Sequence, residues 1–351
     1  LGAAVGIAAP HVRNAAAAET IVWKVQTSWP AGVGLQTFKN WCGTIKEKTG
    51  GELEFRPFAA KEIVGDFELL DGVKNGVLEA MNSFTLYWVG KLPAAAFLSS
   101  YTLGLRHPHE WDMFFYAKDG LKAAREIFAK QGLHYVNRIH HGANIIHSKR
   151  PIRSFEDFKD LKLRVPGGMT AETSGAAGAK TTLLPGGEVF SALEKGTIDA
   201  ADYTGPAVNW DLGFQQVTKY ISMGPEGLMS IYQPVDLMDL VVNMNVWNSL
   251  PDKLKRFVDD EVQVYSSVHF GAIQKADMEA WGKFEKAGTE VNRLEPEDLE
   301  KFQRVAVPIW FKWANKDKDA ARLFQKQLEI MENPSVGYVT PDMYQGMKID
   351  L

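Results

Sequence analysis

The segment VFSALEKGTIDAA, residues 189–201, predicts a short helix, a glycine that ends the helix at Gly196, and a β-strand. The segment FELLDGVKNGVLEAM, residues 67–81, repeats this order, with Gly76 in the place of Gly196. Two copies of one supersecondary unit, far apart in the chain, predict two similar lobes.

Each copy follows another strand with the same character. IVWKVQT, residues 21–27, predicts a strand that stops at a proline, and LKLRVPG, residues 161–167, predicts a second one. A helical pattern after the first strand ends at Gly50 and Gly51, and another strand follows at residues 53–56. This strand–helix–strand order is typical of parallel sheets. We therefore expect an α/β fold with two lobes, each built on a largely parallel sheet.

The ends of the predicted strands are the expected place for a ligand, because ligands of open α/β sheets bind outside the carboxyl ends of strands. Polar and aromatic residues are found there. They are Ser28, Trp29, Asn82, Ser83, Arg164, Asp202 and Tyr203.

Arg164 is the candidate for carboxylate recognition. It alternates with Leu163 and Val165 along one strand, so its side chain faces away from the residues that pack the sheet. A guanidinium group can bind a carboxylate through two parallel hydrogen bonds. The alternative is a surface arginine at a strand edge, and the spacing does not decide between the two.

Asp202 would repel an anionic ligand unless it holds a cation or accepts a hydroxyl or amine. Its alternative role is that of a helix cap or turn residue. Tyr87, Trp88 and Trp29 are candidates for an apolar wall with polar edges, and aromatic residues at such positions are as often part of the core.

Composition excludes several classes of function. The 351 residues are enough for two domains, and 45% hydrophobic and 23% charged residues are ordinary for a soluble globular protein. A net charge of -4 and the lack of a basic run argue against nucleic acid as a partner. The single cysteine, Cys42, has no second thiol for a disulfide or a redox pair.

Two enzyme motifs are present only in part, because a required residue is missing at its position in each. GAAGAKT, residues 175–181, lacks the glycine directly before the lysine that a phosphate loop needs, and Met113 stands where a zinc-protease helix starting at His109 needs its second histidine. His140, His141 and His147 are possible metal ligands, but core or exposed histidines are the favoured interpretation.

The chain ends and the helices complete the expected organisation. Residues 1–18 resemble the remnant of a secretory signal, which predicts export to the periplasm; the alternative is a disordered, alanine-rich end. A capping box of Ser249 and Asp252 predicts a long helix over about 249–288 that spans both lobes. Residues 296–351 form a predicted C-terminal helical segment that kinks or breaks at Pro308.

Five segments together resemble a known family: TSWP (27–30), YWVGK (87–91), LKLRVPGG (161–168), LPGGEVF (184–190) and DAADYTGP (199–206). The chain from Val25 to about Pro341 is similar to the solute-binding proteins of tripartite ATP-independent periplasmic (TRAP) transporters, in the branch that binds 2-oxo acids such as pyruvate. The resemblance implies a periplasmic binding protein fold with a ligand cleft between the lobes. We divide the lobes into 19–142 plus about 237–270, and 143–236 plus part of the C-terminal helices.

The resemblance also implies roles for individual residues. Arg164 pairs with the substrate carboxylate, and Asp202, the Tyr203 carbonyl and the Gln233 side chain hold a Na⁺ or Ca²⁺ ion that bridges to the ligand. The family's glutamine before the arginine strand is absent, and Asn144 is its best substitute. The implied partners are a small carboxylate and the TRAP membrane permease; some members form homodimers by exchanging a C-terminal helix.

No catalysis and no catalytic cofactor are expected. Two other functions stay open at this point. One is a binding protein of an ATP-driven importer for amino acids or sulfonates, and the other is an α/β enzyme that acts on an organic acid. A purely structural role would leave the polar cluster at the strand ends without a purpose.

Overall fold

The computed structural model describes residues 19–351, and the predicted secretory segment lies outside them. Its strands are β1 (Ile21–Thr27), β2 (Leu53–Phe58), β3 (Ala80–Ser83), β4 (Leu133–Ser148), β5 (Lys162–Val165), β6 (Lys180–Leu183), β7 (Ala200–Tyr203), β8 (Tyr220–Met223), β9 (Gln233–Asn243) and β10 (Glu290–Arg293). Its α-helices are α1 (Gly32–Lys48), α2 (Leu69–Lys74), α3 (Pro108–Asp112), α4 (Gly120–Ala129), α5 (Gly168–Ala176), α6 (Val189–Glu194), α7 (Pro206–Asp211), α8 (Met244–Ser249), α9 (Asp252–Lys286), α10 (Pro296–Ala314) and α11 (Lys318–Met331).

The predicted α/β architecture is confirmed. Strand β1 pairs in parallel with β2 and β3, and β5 pairs in parallel with β6 and β7. The strand order is β2-β1-β3-β9-β4-β7-β5-β6, with β8 beside β4 and β10 beside β8. Two parallel units therefore flank the antiparallel pair β4 and β9.

The two repeated segments fold alike. In each, a short helix and a glycine precede the strand, and the strand begins three residues later than its sequence suggests, at Ala80 in β3 and at Ala200 in β7. The last residues of these strands are Ser83 and Tyr203. The repeat thus places both strand ends at the edge where a ligand was expected.

Strand β4 joins the two parallel units. Its residues up to Asn144 pair with β9, and Ile145–Ser148 pair with β7 and β8. The β4–β9 register shifts on both sides of Gly142, as expected for bulges, which bend a strand. The predicted lobe boundaries at residues 142/143 and 236/237 stay a prediction. The register shifts around Gly142 lie beside these boundaries.

Strand β9 is buried on both faces. Leu237 and Val241 join one large apolar cluster, whereas Met238, Leu240 and Val242 join another. Successive side chains of a strand point to opposite faces, so one strand connects both cores.

Helix α9 is long, as predicted. Its 35 residues span roughly 52 Å, and it packs on β4, α1 and α7. The predicted capping box is not formed. Ser249 ends α8 and donates a hydrogen bond to the Val246 carbonyl, and Pro251 precedes the first turn of α9.

The C-terminal segment is less helical than expected. Helix α10 continues through Pro308 without a break, and α11 ends at Met331. Pro334, Gly337 and Pro341 follow, and none of them favours a continued helix. Across residues 19–351, no helix combines the length and apolar character needed to cross a membrane.

Candidate functional site

A cavity lies where the ends of β3, β5 and β7 meet the central strands β4 and β9. Its atom-free space, including its mouth, is about 320 Å³. Its lining mixes apolar side chains with one arginine and several oxygen-bearing groups. The lining residues are Phe84, Leu86, Tyr87, Asn144, Arg164, Pro166, Tyr203, Thr204, Gln233 and Asp236.

Arg164 is the only cationic side chain among these lining residues, and it is 2% exposed. Its Nε and Nη2 donate to the Leu184 carbonyl at 3.1 and 3.0 Å, and its Nη1 donates to the Asp202 carbonyl at 2.6 Å. A guanidinium carries five N–H groups, so two N–H groups on the terminal nitrogens remain. The side chain is fixed in place by backbone groups and keeps a pair of donors for an anion.

Two tyrosines flank this guanidinium. The Arg164 Cζ lies 5.1 Å from the centre of the Tyr203 ring. Gly186 allows Tyr203 to take this position, because a Cβ at residue 186 would come within 2.2 Å of the Tyr203 Oη. Burial raises the pKa of Tyr87 to about 12 and also raises the pKa of Tyr203, so both phenols keep their protons at neutral pH. Protonated phenols can donate hydrogen bonds to an acid.

Amide groups from the central strands form the next part of the lining. Asn144 on β4 donates from Nδ2 to Oε1 of Gln233 on β9 at 2.9 Å. The Gln233 Nε2 donates to the Ser100 carbonyl at 3.3 Å. The Asn144 Oδ1 is buried and accepts no hydrogen bond within the described range 19–351. This orphaned acceptor is suited to a cation or to a donor on a ligand.

Asp236 is a lining residue that the sequence analysis missed. It is 3% exposed, and its Oδ1 accepts hydrogen bonds from the Leu237 N–H at 2.9 Å and from Gln233 Nε2 at 3.4 Å. Burial is the main cause that raises the pKa of its carboxyl to about 7. The available signal was an aspartate inside an apolar strand segment, PVDLMDLVV (residues 234–242).

Asp202 lies beside the cavity and is not among its lining residues. Its backbone carbonyl accepts from Arg164, while its carboxyl group is completely buried. Neither carboxylate oxygen has a hydrogen-bond partner among residues 19–351. Burial raises the pKa of this carboxyl well above its usual range, and the nearby charge of Arg164 opposes that shift.

Trp29 and Trp88 also lie outside the lining. Trp29 packs edge-on against Phe84, with ring centres 5.4 Å apart, and a Cβ at Gly34 would come within 2.6 Å of the Trp29 ring. Trp88 packs edge-on against Tyr87 at 6.3 Å. The two indoles support Phe84 and Tyr87, which face the cavity. Of the predicted site residues, the structure thus brings together Arg164, Asn144, Tyr203, Tyr87 and Gln233.

The three β4 histidines considered as metal ligands, His140, His141 and His147, are buried in separate environments. His141 Nδ1 lies 3.3 Å from His269 Nε2 on α9, and His147 packs against Phe214. His140 Nε2 contacts the carboxylate of Asp112 at 2.9 Å. Within the described residues, no group of three or more His, Cys, Asp and Glu side chains is arranged to hold a metal ion.

His269 predicts a pH dependence of stability. Burial lowers its pKa from 6.5 to about 3, so between these values the unfolded chain binds a proton that the folded protein does not. The free energy of unfolding therefore falls as the pH falls below 6.5, by at most about 1.4 kcal/mol per pH unit for one such group. We expect His269→Gln to make this loss shallower in urea denaturation at a series of pH values.

The matched control is the exposed His109→Gln, which should keep the wild-type slope. Buried carboxyl groups such as Asp236 change stability in the opposite sense with pH, but they are common to all three proteins. The difference between variants therefore reports the loss of His269, together with its effect on the neighbouring His141. Equal slopes for His269→Gln and the wild type would contradict the prediction.

Comparison with known proteins places this geometry in a family. The family model described as bacterial extracellular solute-binding protein, family 7, matches residues 30–317. A monocarboxylate 2-oxoacid-binding periplasmic protein of Nostoc sp. is 28% identical over 308 residues, which cover 87% of this chain and 82% of that protein.

Solved structures show the same two-lobed fold. A TRAP periplasmic solute-binding protein from Colwellia psychrerythraea, with bound calcium and pyruvate, superposes with a TM-score of 0.81 at 22% identity and covers 91% of this chain and 99% of its own. One from Bordetella bronchiseptica, a dimer with calcium and picolinate in one site, gives 0.80 at 22% identity, with 90% and 93% covered. The chain therefore belongs to family 7 of the bacterial extracellular solute-binding proteins and is a TRAP-transporter solute-binding protein.

Proposed function

We propose that this protein captures a small 2-oxo monocarboxylate in the Arg164 cavity and delivers it to a TRAP membrane permease. The observation that carries the proposal is the guanidinium of Arg164, held by two backbone carbonyls with two N–H groups left over. That pair of donors matches the two oxygens of one carboxylate. Hinge closure of the lobes would exclude water from this contact and strengthen it.

The rest of the lining supports a small acid with an apolar tail. Phe84, Leu86 and Pro166 supply apolar surface for the tail of the ligand. The phenols of Tyr87 and Tyr203 are donors for a second oxygen of the ligand.

The ligands named for the relatives share one chemical feature. Pyruvate carries a keto oxygen next to its carboxylate, and picolinate carries a ring nitrogen in the same place. Both can therefore chelate a cation through two neighbouring atoms. The Nostoc relative is named for 2-oxo acids, which have this same pattern. This shared pattern favours a 2-oxo acid over a simple carboxylate.

We propose that a Na⁺ or Ca²⁺ ion accompanies the ligand. The residues fit a hard cation, since Asp202 has two buried oxygens without a partner and Asn144 has one. With the Tyr203 carbonyl and the Gln233 amide they form a set of oxygen donors, which such ions prefer. A bound cation would supply positive charge that offsets the repulsion between Asp202 and an anionic ligand.

We propose that the ligand is released unchanged. Thr204 carries the one aliphatic hydroxyl among the cavity-lining residues, and its Oγ1 donates to the amide oxygen of Asn209 at 3.0 Å, which is not a base that could activate it. The family to which the chain belongs is one of transport receptors. Turnover of an oxo acid by the purified protein would instead support the enzyme hypothesis.

The periplasm is the proposed location. Relatives from this family are periplasmic proteins, and the predicted export signal in residues 1–18 would direct the chain there. The proposed partners are the permease subunits of a TRAP transporter. Whether two copies pair as a homodimer is decided by light scattering coupled to size-exclusion chromatography.

A thermal-shift screen tests the proposed ligand. Pyruvate, branched-chain and aromatic oxo acids, lactate and amino acids are compared with calcium, with sodium and with a chelator. We expect a 2-oxo acid with a cation to raise the melting temperature most, because a ligand at 100 times its Kd stabilises the folded state by about 2.7 kcal/mol. Amino acids as the best ligands would favour the importer alternative, and no response to any acid would contradict the proposal.

A further inference from the structure

A second cavity lies beside the same two central strands. It is lined by Gly142 and Ala143 of β4 and by Pro234 and Val235 of β9, whereas Asn144, Gln233 and Asp236 of these strands line the first cavity. Its atom-free space, including its mouth, is about 600 Å³. Both cavities thus border the strand pair, and only the first belongs to the proposed transport function.

Each polar side chain that lines this second cavity carries a hydrogen-bond donor. Arg106, His107, Ser230 and Gln274 bring polar side chains to it, and no Asp or Glu is among the lining residues. Ser230 Oγ accepts hydrogen bonds from the N–H groups of Tyr232 and Gln233, which leaves its own O–H to donate. A cavity with one guanidinium, free donors and no acid attracts an anion.

Arg106 lies near the buried carboxylate of Glu110, which accepts hydrogen bonds from the backbone N–H groups of Arg106 and His107 at 2.6 and 3.1 Å. Its guanidinium lies 4.0 Å above the ring of Tyr338, and the Tyr338 hydroxyl donates to the Glu110 carboxylate at 2.8 Å. Among residues 19–351, the Arg106 side chain forms no ion pair, although the charge of Glu110 acts on it at longer range, and its Nε is buried without an acceptor. A buried N–H that lacks an acceptor costs free energy, which a bound oxyanion would offset.

We propose that this cavity is a second site, which binds a small oxyanion such as a carboxylate or sulfate through Arg106. The site is coupled to the transport ligand, because Ser230 holds the backbone N–H of Gln233 at 3.2 Å and Gln233 lines the first cavity. An anion that orders Ser230 and strands β4 and β9 therefore also affects Gln233, whose side chain lines the first cavity. The site does not use Arg164, so it stands whether or not the proposed function does.

The test uses the full chain without transport ligand. Sodium sulfate is titrated against sodium chloride at constant ionic strength, and the melting temperature is followed for the wild type, Arg106→Gln and Arg256→Gln. Arg256 is exposed on α9 and serves as the matched control for the loss of one charge. Sulfate also stabilises proteins through exclusion from their surface, but that effect does not saturate and is shared by all variants.

We expect a saturable rise in melting temperature for the wild type and for Arg256→Gln, and only the shared, non-saturating rise for Arg106→Gln. Gln274→Glu, which places a carboxylate in the cavity and keeps Arg106, should also remove the saturable part and guards against a misfolded Arg106 variant. Arg164→Gln should retain it. A saturable rise in Arg106→Gln and Gln274→Glu equal to that of the wild type, or no saturable rise in the wild type, would overturn the proposal.

Discussion

Arg164→Gln is expected to weaken the binding of a 2-oxo acid by roughly 30-fold to several thousand-fold, which corresponds to about 2 to 5 kcal/mol. The glutamine cannot supply two parallel N–H donors, and it removes the one cationic group that lines the cavity. The bound carboxylate would then be buried without its counter-charge. Isothermal titration calorimetry with pyruvate and calcium measures the change directly.

Loss of binding must be separated from loss of folding, because Arg164 also holds the carbonyls of Leu184 and Asp202. Arg138→Gln is the matched control. Arg138 is also buried, pairs with Asp112 and donates to Ser266, and does not line the cavity. It should lower the melting temperature and leave the Kd unchanged. If Arg164→Gln folds and binds the acid as tightly as the wild type does, the carboxylate site lies elsewhere.

Local patterns were sufficient to predict the frame that holds Arg164. Alternation along β5 placed Leu163 and Val165 in the core and Arg164 on the other side, and the structure shows both. The repeated helix–glycine–strand order predicted that Tyr203 would end a strand beside it. Such features depend on periods of two and on turn residues, which can be read without knowledge of the tertiary structure.

Contacts between distant segments were beyond these patterns. Trp29 stands at a strand end, yet it packs behind Phe84 because Gly34 of α1 leaves room for its ring. Asp236 enters the cavity because bulges around Gly142 change the register between β4 and β9. A register shift of one residue reverses which face a side chain occupies, and the sequence does not reveal where two strands shift.

Asp202→Asn is expected to give the second large effect, with opposite signs for binding and stability. The carboxyl group of Asp202 is completely buried, and neither oxygen has a hydrogen-bond partner among residues 19–351. Such a group is costly to ionise in the empty protein. Asparagine removes the charge at nearly constant shape, so we expect the ligand-free variant to be at least as stable as the wild type in urea denaturation at neutral pH.

Binding should change in the other direction. Without the charge of Asp202, the site loses a principal ligand for the proposed cation, and we expect calcium-supported binding of pyruvate to weaken by about 2 to 4 kcal/mol, or roughly 30- to 1,000-fold. Addition of chelator should then have little further effect on the variant, whereas it should weaken binding to the wild type. Calorimetry with and without chelator measures both values.

Asp239→Asn separates a cation site from a merely buried acid. Asp239 lies on β9, is 1% exposed, has one oxygen without a partner among residues 19–351, and has its pKa raised well above the usual range by burial. It does not line the cavity, so its asparagine variant should bind pyruvate and respond to chelator like the wild type. If Asp202→Asn behaves in the same way as Asp239→Asn, then Asp202 holds no cation and its burial has only a structural role.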